Sequence, residues 1–166
     1  MTGPEAPRVF RVLLEVRDLD EAERFYGALL ATKGRRVGGG RIYFDCGEVI
    51  LAVVDPTTGG EGRVSPLPEA LYLATTDLEA VFRRAEGLGC LSSELIHNDP
   101  ESPAGQIVVR PWGERSFYVA DPSGNPLCFV DSNTLFTGSE GTTPRPGRPR
   151  VREGRTTTPR SRPRRT

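Results

Sequence analysis

The chain has 166 residues, in which 22 Lys and Arg balance 22 Asp and Glu around a single His. That length suits one domain or two small, tightly joined halves, and no apolar run in it approaches a membrane span. Three cysteines (Cys46, Cys90 and Cys128) without metal-type spacing exclude a Cys-based metal or disulfide scaffold and predict a reduced, cytoplasmic setting. The opening MTGPEAPRVFRV has no basic start followed by an apolar run, so no signal peptide is expected.

In chain order, residues 9–17 alternate as a strand, with Val12, Leu14 and Val16 on one face and Arg11, Leu13 and Glu15 on the other. Asp18 then caps a predicted helix, with Glu21 three residues on. Its apolar stripe is Ala22, Phe25, Tyr26, Leu29 and Leu30. A Gly-rich connection over 32–40 leads to a hairpin, 41–44 and 49–55, turning at Cys46-Gly47. Residues 56–68 (PTTGGEGRVSPLP) read as a linker. A second strand–helix pair follows: residues 70–75, then a helix capped by Asp77 with the stripe Leu78, Val81, Phe82, Ala85 and Leu88, stopped at Gly89.

The chain says the same thing twice. DCGEVILAVVD from Asp45 and DPSGNPLCFVD from Asp121 are both a turn and a strand ending in Val-Asp, and each lies downstream of a strand–helix pair. Asp18-Leu19 and Asp77-Leu78 are 59 positions apart, whereas Asp45 and Asp121 are 76 apart. The second copy therefore carries 17 extra residues, expected within 90–110, where His97, Asp99 and Glu101 lie. The tail is different in kind: from Glu140 onward nine Arg face two Glu, leaving 13 cations and 20 acids before it. Residues 138–166, rich in Arg and Pro, are predicted to be disordered. Such a tail solubilises the protein, or contacts nucleic acid or an acidic partner through its charge.

The tandem strand–helix–hairpin units, the DP-x-GN-x-L turn within PWGERSFYVADPSGNPLCFVD from Pro111, and the Val16-Arg17-Asp18-Leu19 join together resemble the vicinal oxygen chelate superfamily. This superfamily includes glyoxalases, extradiol dioxygenases and bleomycin-binding resistance proteins. The resemblance covers residues 8–133 and implies an α+β fold. Two tandem βαβββ modules, 8–56 and 69–133, would form a cupped mixed sheet with helices outside. It also implies a homodimer and four inward metal ligands, two on the first strands and two on the last. Those positions hold Arg11, Ala70, Ala52 and Cys128. Alanine has no donor, and Arg is a cation without a suitable lone pair, so no metal or other cofactor is expected there.

Strand parity and the final hairpin nominate Arg11, Leu13, Glu15, Ala52, Ala70, Tyr72, Trp112, Arg115 and Cys128 as lining the cup. Arg11 would clamp a carboxylate or phosphate, or pair internally with Glu15. Tyr72 would donate to a ligand or serve as an ordinary strand residue. Trp112 would stack on a planar ligand or cover the sheet's end, with Arg115 beside it at the rim. Cys128 would be a nucleophile or a small core filler. His97, Asp99 and Glu101, with Asp121 nearby, would make a substitute metal set or remain exposed loop residues. The reading that results is a metal-free protein binding an organic molecule, an anionic one where Arg11 acts as the clamp. The alternatives are a lyase, isomerase or dioxygenase with an unorthodox site using Arg11, Glu15 and Tyr72, and an accessory protein acting through its basic tail.

Overall fold

The computed structural model describes residues 3–58, 60 and 62–138. The expectation for the tail beyond Gly138 therefore lies outside the described residues. The first unit runs β1 (Arg11–Glu15), α1 (Leu19–Leu29), β2 (Arg35–Val37), β3 (Arg41–Cys46) and β4 (Val49–Val54). The second runs β5 (Leu71–Thr75), α2 (Leu78–Gly87), β6 (Val108–Val109), β7 (Arg115–Ala120) and β8 (Pro126–Asp131). Each unit is βαβββ, and each builds a four-stranded mixed sheet, ordered β1-β4-β3-β2 and β5-β8-β7-β6. The outer strand of each βαβ step is parallel to its partner, β1 to β4 and β5 to β8, and the remaining pairs are antiparallel.

Both helices start where a short acid can satisfy an orphan N–H. Asp18 Oδ1 accepts from Glu21 N at 2.9 Å, and Asp77 Oδ1 from Ala80 N at 3.0 Å. Their apolar stripes cover one face of each sheet. Phe25, Tyr26 and Leu29 of α1 pack with Leu14, Ile42, Phe44, Leu51 and Val53, while Val81 and Ala85 of α2 pack with Phe117, Val119, Leu127 and Phe129. These side chains form a single buried cluster, and α1 touches α2, where Arg84 Nε donates to Leu29 O at 3.0 Å. At about 1.5–3 kcal/mol for each fully buried large side chain, this cluster is the main stabilising term.

The two copies differ where sequence matched them best. In the second, the 121–125 turn is a buried lock between units. Asp121 accepts from Tyr26 Oη at 2.6 Å, Ser123 N at 2.9 Å, Asn125 N at 2.8 Å and Asn125 Nδ2 at 2.8 Å. Asn125 also donates to Glu15 O and accepts from Leu67 N, and Ser123 Oγ accepts from Arg17 N. The turn closes at Gly124 with φ +89°, a left-handed conformation that favours glycine. The matching Asp45 is exposed and pairs with Arg35. Strand β2 forms inside the stretch expected to be only a connection. Its sequence lacks alternation, but the free edge of β3 accepts it. Among the described residues no helix is long and apolar enough to cross a membrane.

Candidate functional site

Ladder register defines the sheet faces turned away from the helices. On the first, Leu13, Ala52 and Tyr43 stand in one row; on the second, Tyr72, Cys128 and Tyr118. These are the two faces expected to line a cup. They are not equivalent, because the extra residues of the second unit fold over theirs.

That extra chain leaves α2 at Gly89 and runs beside β7. Tyr118 N donates to Ala104 O at 2.7 Å, Ser92 N to Tyr118 O at 3.0 Å and Ala120 N to Cys90 O at 3.0 Å. Gly105 is required by proximity, since a Cβ there would sit 2.1 Å from Ser92 O. Ala104 and Ile96 pack on Ala70, Tyr118, Cys128 and Val130, giving this face its own small core. Arg110 pins the insertion from within and is only 2% exposed. Its guanidinium donates to Ser102 Oγ at 2.9 Å, Ser116 Oγ at 3.1 Å and the carbonyls of Pro103, Ala104, Gln106 and Ser116. It also stands 5.4 Å from the centre of the Tyr118 ring. Burial lowers the Arg110 pKa from its ordinary value. No sequence motif announces Arg110.

Beyond the insertion an open cavity of about 550 Å³ remains, lined by Tyr72, Ala74, Trp112, Glu114, Val130 and the segment Leu135 to Thr137. Glu114 is 9% exposed. Its carboxylate accepts from Trp112 Nε1 at 2.8 Å and from Phe136 N at 3.0 Å. His97 lies edge-on to Trp112, with centroids 6.0 Å apart. Tyr72 and Tyr118 share a hydroxyl–hydroxyl hydrogen bond of 3.1 Å. Burial, followed by that bond, raises the Tyr118 pKa.

The nine sequence-nominated residues scatter accordingly. Tyr72 and Trp112 line this cavity. Leu13 and Glu15 border a separate one of about 300 Å³ against Ser65 to Pro68, and Glu15 Oε2 accepts from Ser65 N at 2.6 Å. Arg11 is exposed, donates to Tyr43 Oη at 2.9 Å and does not pair with Glu15. Ala52 is wholly buried in the row between Leu13 and Tyr43, and Ala70 packs against the small core beneath the insertion. Cys128 lies in that core; burial pushes its thiol up to about 11, which leaves no nucleophile there at neutral pH. Arg115 is not at the rim: Ser116 takes the inward place in β7, so Arg115 turns toward the helices and pairs with Glu79 and Asp131. Glu114 was missed, although it shares a turn with Trp112 that its neighbour Arg115 drew attention to.

A resident metal does not fit these residues. Two of the four expected ligand positions are alanines, one is an arginine, and the fourth is a protonated thiol in a closed core. His97 turns to Trp112, and Asp99 Oδ1 closes on Glu101 N at 2.9 Å. Among the described residues no three His, Cys, Asp or Glu side chains assemble as a metal group.

No protein-family model and no curated protein matches the sequence. Solved structures do. A lactoylglutathione lyase from Agrobacterium tumefaciens is 20% identical, covers 78% of this chain and 96% of its own, and superposes with a TM-score of 0.58. A glyoxalase-related enzyme from Fulvimarina pelagi gives 21% identity, 84% and 98% coverage and a TM-score of 0.59. The oxidase ChaP-H2 gives 23% identity, 82% and 100% coverage and a TM-score of 0.59. At such identities the likeness shows architecture: the chain has the fold of the vicinal oxygen chelate superfamily.

Proposed function

We propose that this protein binds a small organic molecule on the open face of its second unit, without a resident metal. The observation that carries the reading is the cavity of about 550 Å³ lined by Tyr72, Ala74, Trp112, Val130 and Phe136. It is a mostly apolar recess with a few polar groups, the usual make-up of a ligand site. The non-ligating residues at the four expected metal positions support the metal-free part. An enzyme built on Arg11, Glu15 and Tyr72 is less well supported, because Arg11 and Glu15 are engaged elsewhere on the first unit. A homodimer is part of the proposal. Phe10 and Leu13, 55% and 51% exposed, offer apolar surface that a second copy would cover. Three free cysteines support a reducing compartment.

Native mass spectrometry of protein taken directly from cells, with metal analysis of the same sample, tests this reading. The expected result is a dimer mass, a retained organic adduct or a thermal shift with metabolite pools, and no stoichiometric divalent ion. A tightly held ion at one per chain would overturn the metal-free assignment.

A further inference from the structure

We propose that the cavity on the second unit recognises an organic cation, an ammonium or guanidinium group held against the carboxylate of Glu114 and the rings of Tyr72, Trp112 and Phe136. This rests on the small-molecule reading above and assigns the ligand's charge. Glu114 is nearly buried and lines the cavity, yet among the described residues no Arg or Lys forms an ion pair with it. Its neighbour Arg115 is committed to Glu79 and Asp131 on the opposite face. Two N–H dipoles, from Trp112 and Phe136, orient the carboxylate. Each carboxylate oxygen accepts one of these bonds and keeps further acceptor capacity, which a cationic guest would meet directly.

The carboxylate shares the cavity with aromatic rings. Tyr72 and Phe136 are 55% and 47% exposed, large rings left open at the cavity's mouth. The indole of Trp112 donates to Glu114 and makes a T-shaped contact with the His97 ring. Aromatic faces attract cations through their quadrupole, and a carboxylate beside them adds a directional acceptor. The cations that would suit an anion lie elsewhere. Arg11 stands on the first unit with Tyr43, and Arg110 is wrapped in carbonyls and hydroxyls behind Tyr118. An anionic guest would instead face Glu114.

Trp112 is the sole tryptophan, so intrinsic fluorescence reports on this cavity. The full-length chain is titrated with benzyltrimethylammonium, benzyl alcohol and benzoate. The expected result is saturable perturbation by the cation, about tenfold or more tighter than by the other two. Glu114→Gln should abolish that preference, and Tyr72→Ala, which removes an exposed ring, should weaken cation binding by roughly three- to tenfold. Equal or tighter binding of benzoate or benzyl alcohol overturns the charge assignment while leaving the binding site standing. So does a preference that survives Glu114→Gln in a protein with native melting. Should Glu114→Gln melt early, an undiminished cation affinity in Tyr72→Ala overturns it. If none of the probes perturbs Trp112 at millimolar concentration, the cavity is not a ligand site, and the parent reading falls with this one.

Discussion

Ala52 and Cys128 occupy matching places in the repeat, and both are wholly buried. A side chain's role here follows from what covers it rather than from its chemistry. Cys128 carries a thiol held neutral by burial, which raises its pKa from 9.0 to about 11. The unfolded chain loses that proton first as pH rises, so stability is full below pH 9 and declines between about 9 and about 11. Cys90, raised likewise to about 11 by burial, adds to the same decline. Thermal melts across pH 8–11 should therefore show a falling midpoint, with a shallower fall in Cys128→Ala. A parallel slope in the variant would show that Cys128 carries none of it. Arg110 is the complementary case, a buried cation answered by carbonyls and hydroxyls and so spent on holding the insertion in place.

At the scale of elements, the repeat explains similarity, and the turns explain the difference. Asp45 and Asp121 align, yet only Asp121 is buried among Tyr26, Ser123 and Asn125. Asp121→Ala should cost about 2–4 kcal/mol, because it leaves buried donors without an acceptor. Asp45→Ala should leave the urea midpoint nearly unchanged, since its pair with Arg35 is solvent-exposed. Comparable midpoints for the two variants would remove the turn from its role as a lock. Both helices and most strands were legible because a short acid cap, a 3.6-residue stripe and a two-residue alternation are local signals. Strand β2 was not, since its pairing comes from the edge of β3 rather than from its own residues.

At the scale of the molecule, the buried core among the described residues runs from Leu14 to Val130. Removing residues 139–166 should therefore leave the melting temperature unchanged. It should also leave a chain with 13 cations and 20 acids that binds anion exchangers more tightly. A clear loss of stability on truncation would mean that the tail takes part in the fold. The sequence alone determined both helices, most of the strands, and which side of β1 faces away from the helices. The resemblance to the vicinal oxygen chelate superfamily set the four expected metal positions, and the sequence shows that they carry Arg11, Ala52, Ala70 and Cys128; residue identity and backbone periodicity are local properties. Only the tertiary structure decided what covers each face. The insertion closes over Ala70 and Cys128, Arg115 turns to Glu79, and Glu114 comes to the wall of an aromatic cavity. Those outcomes depend on contacts between segments distant along the chain, whose geometry no local pattern encodes.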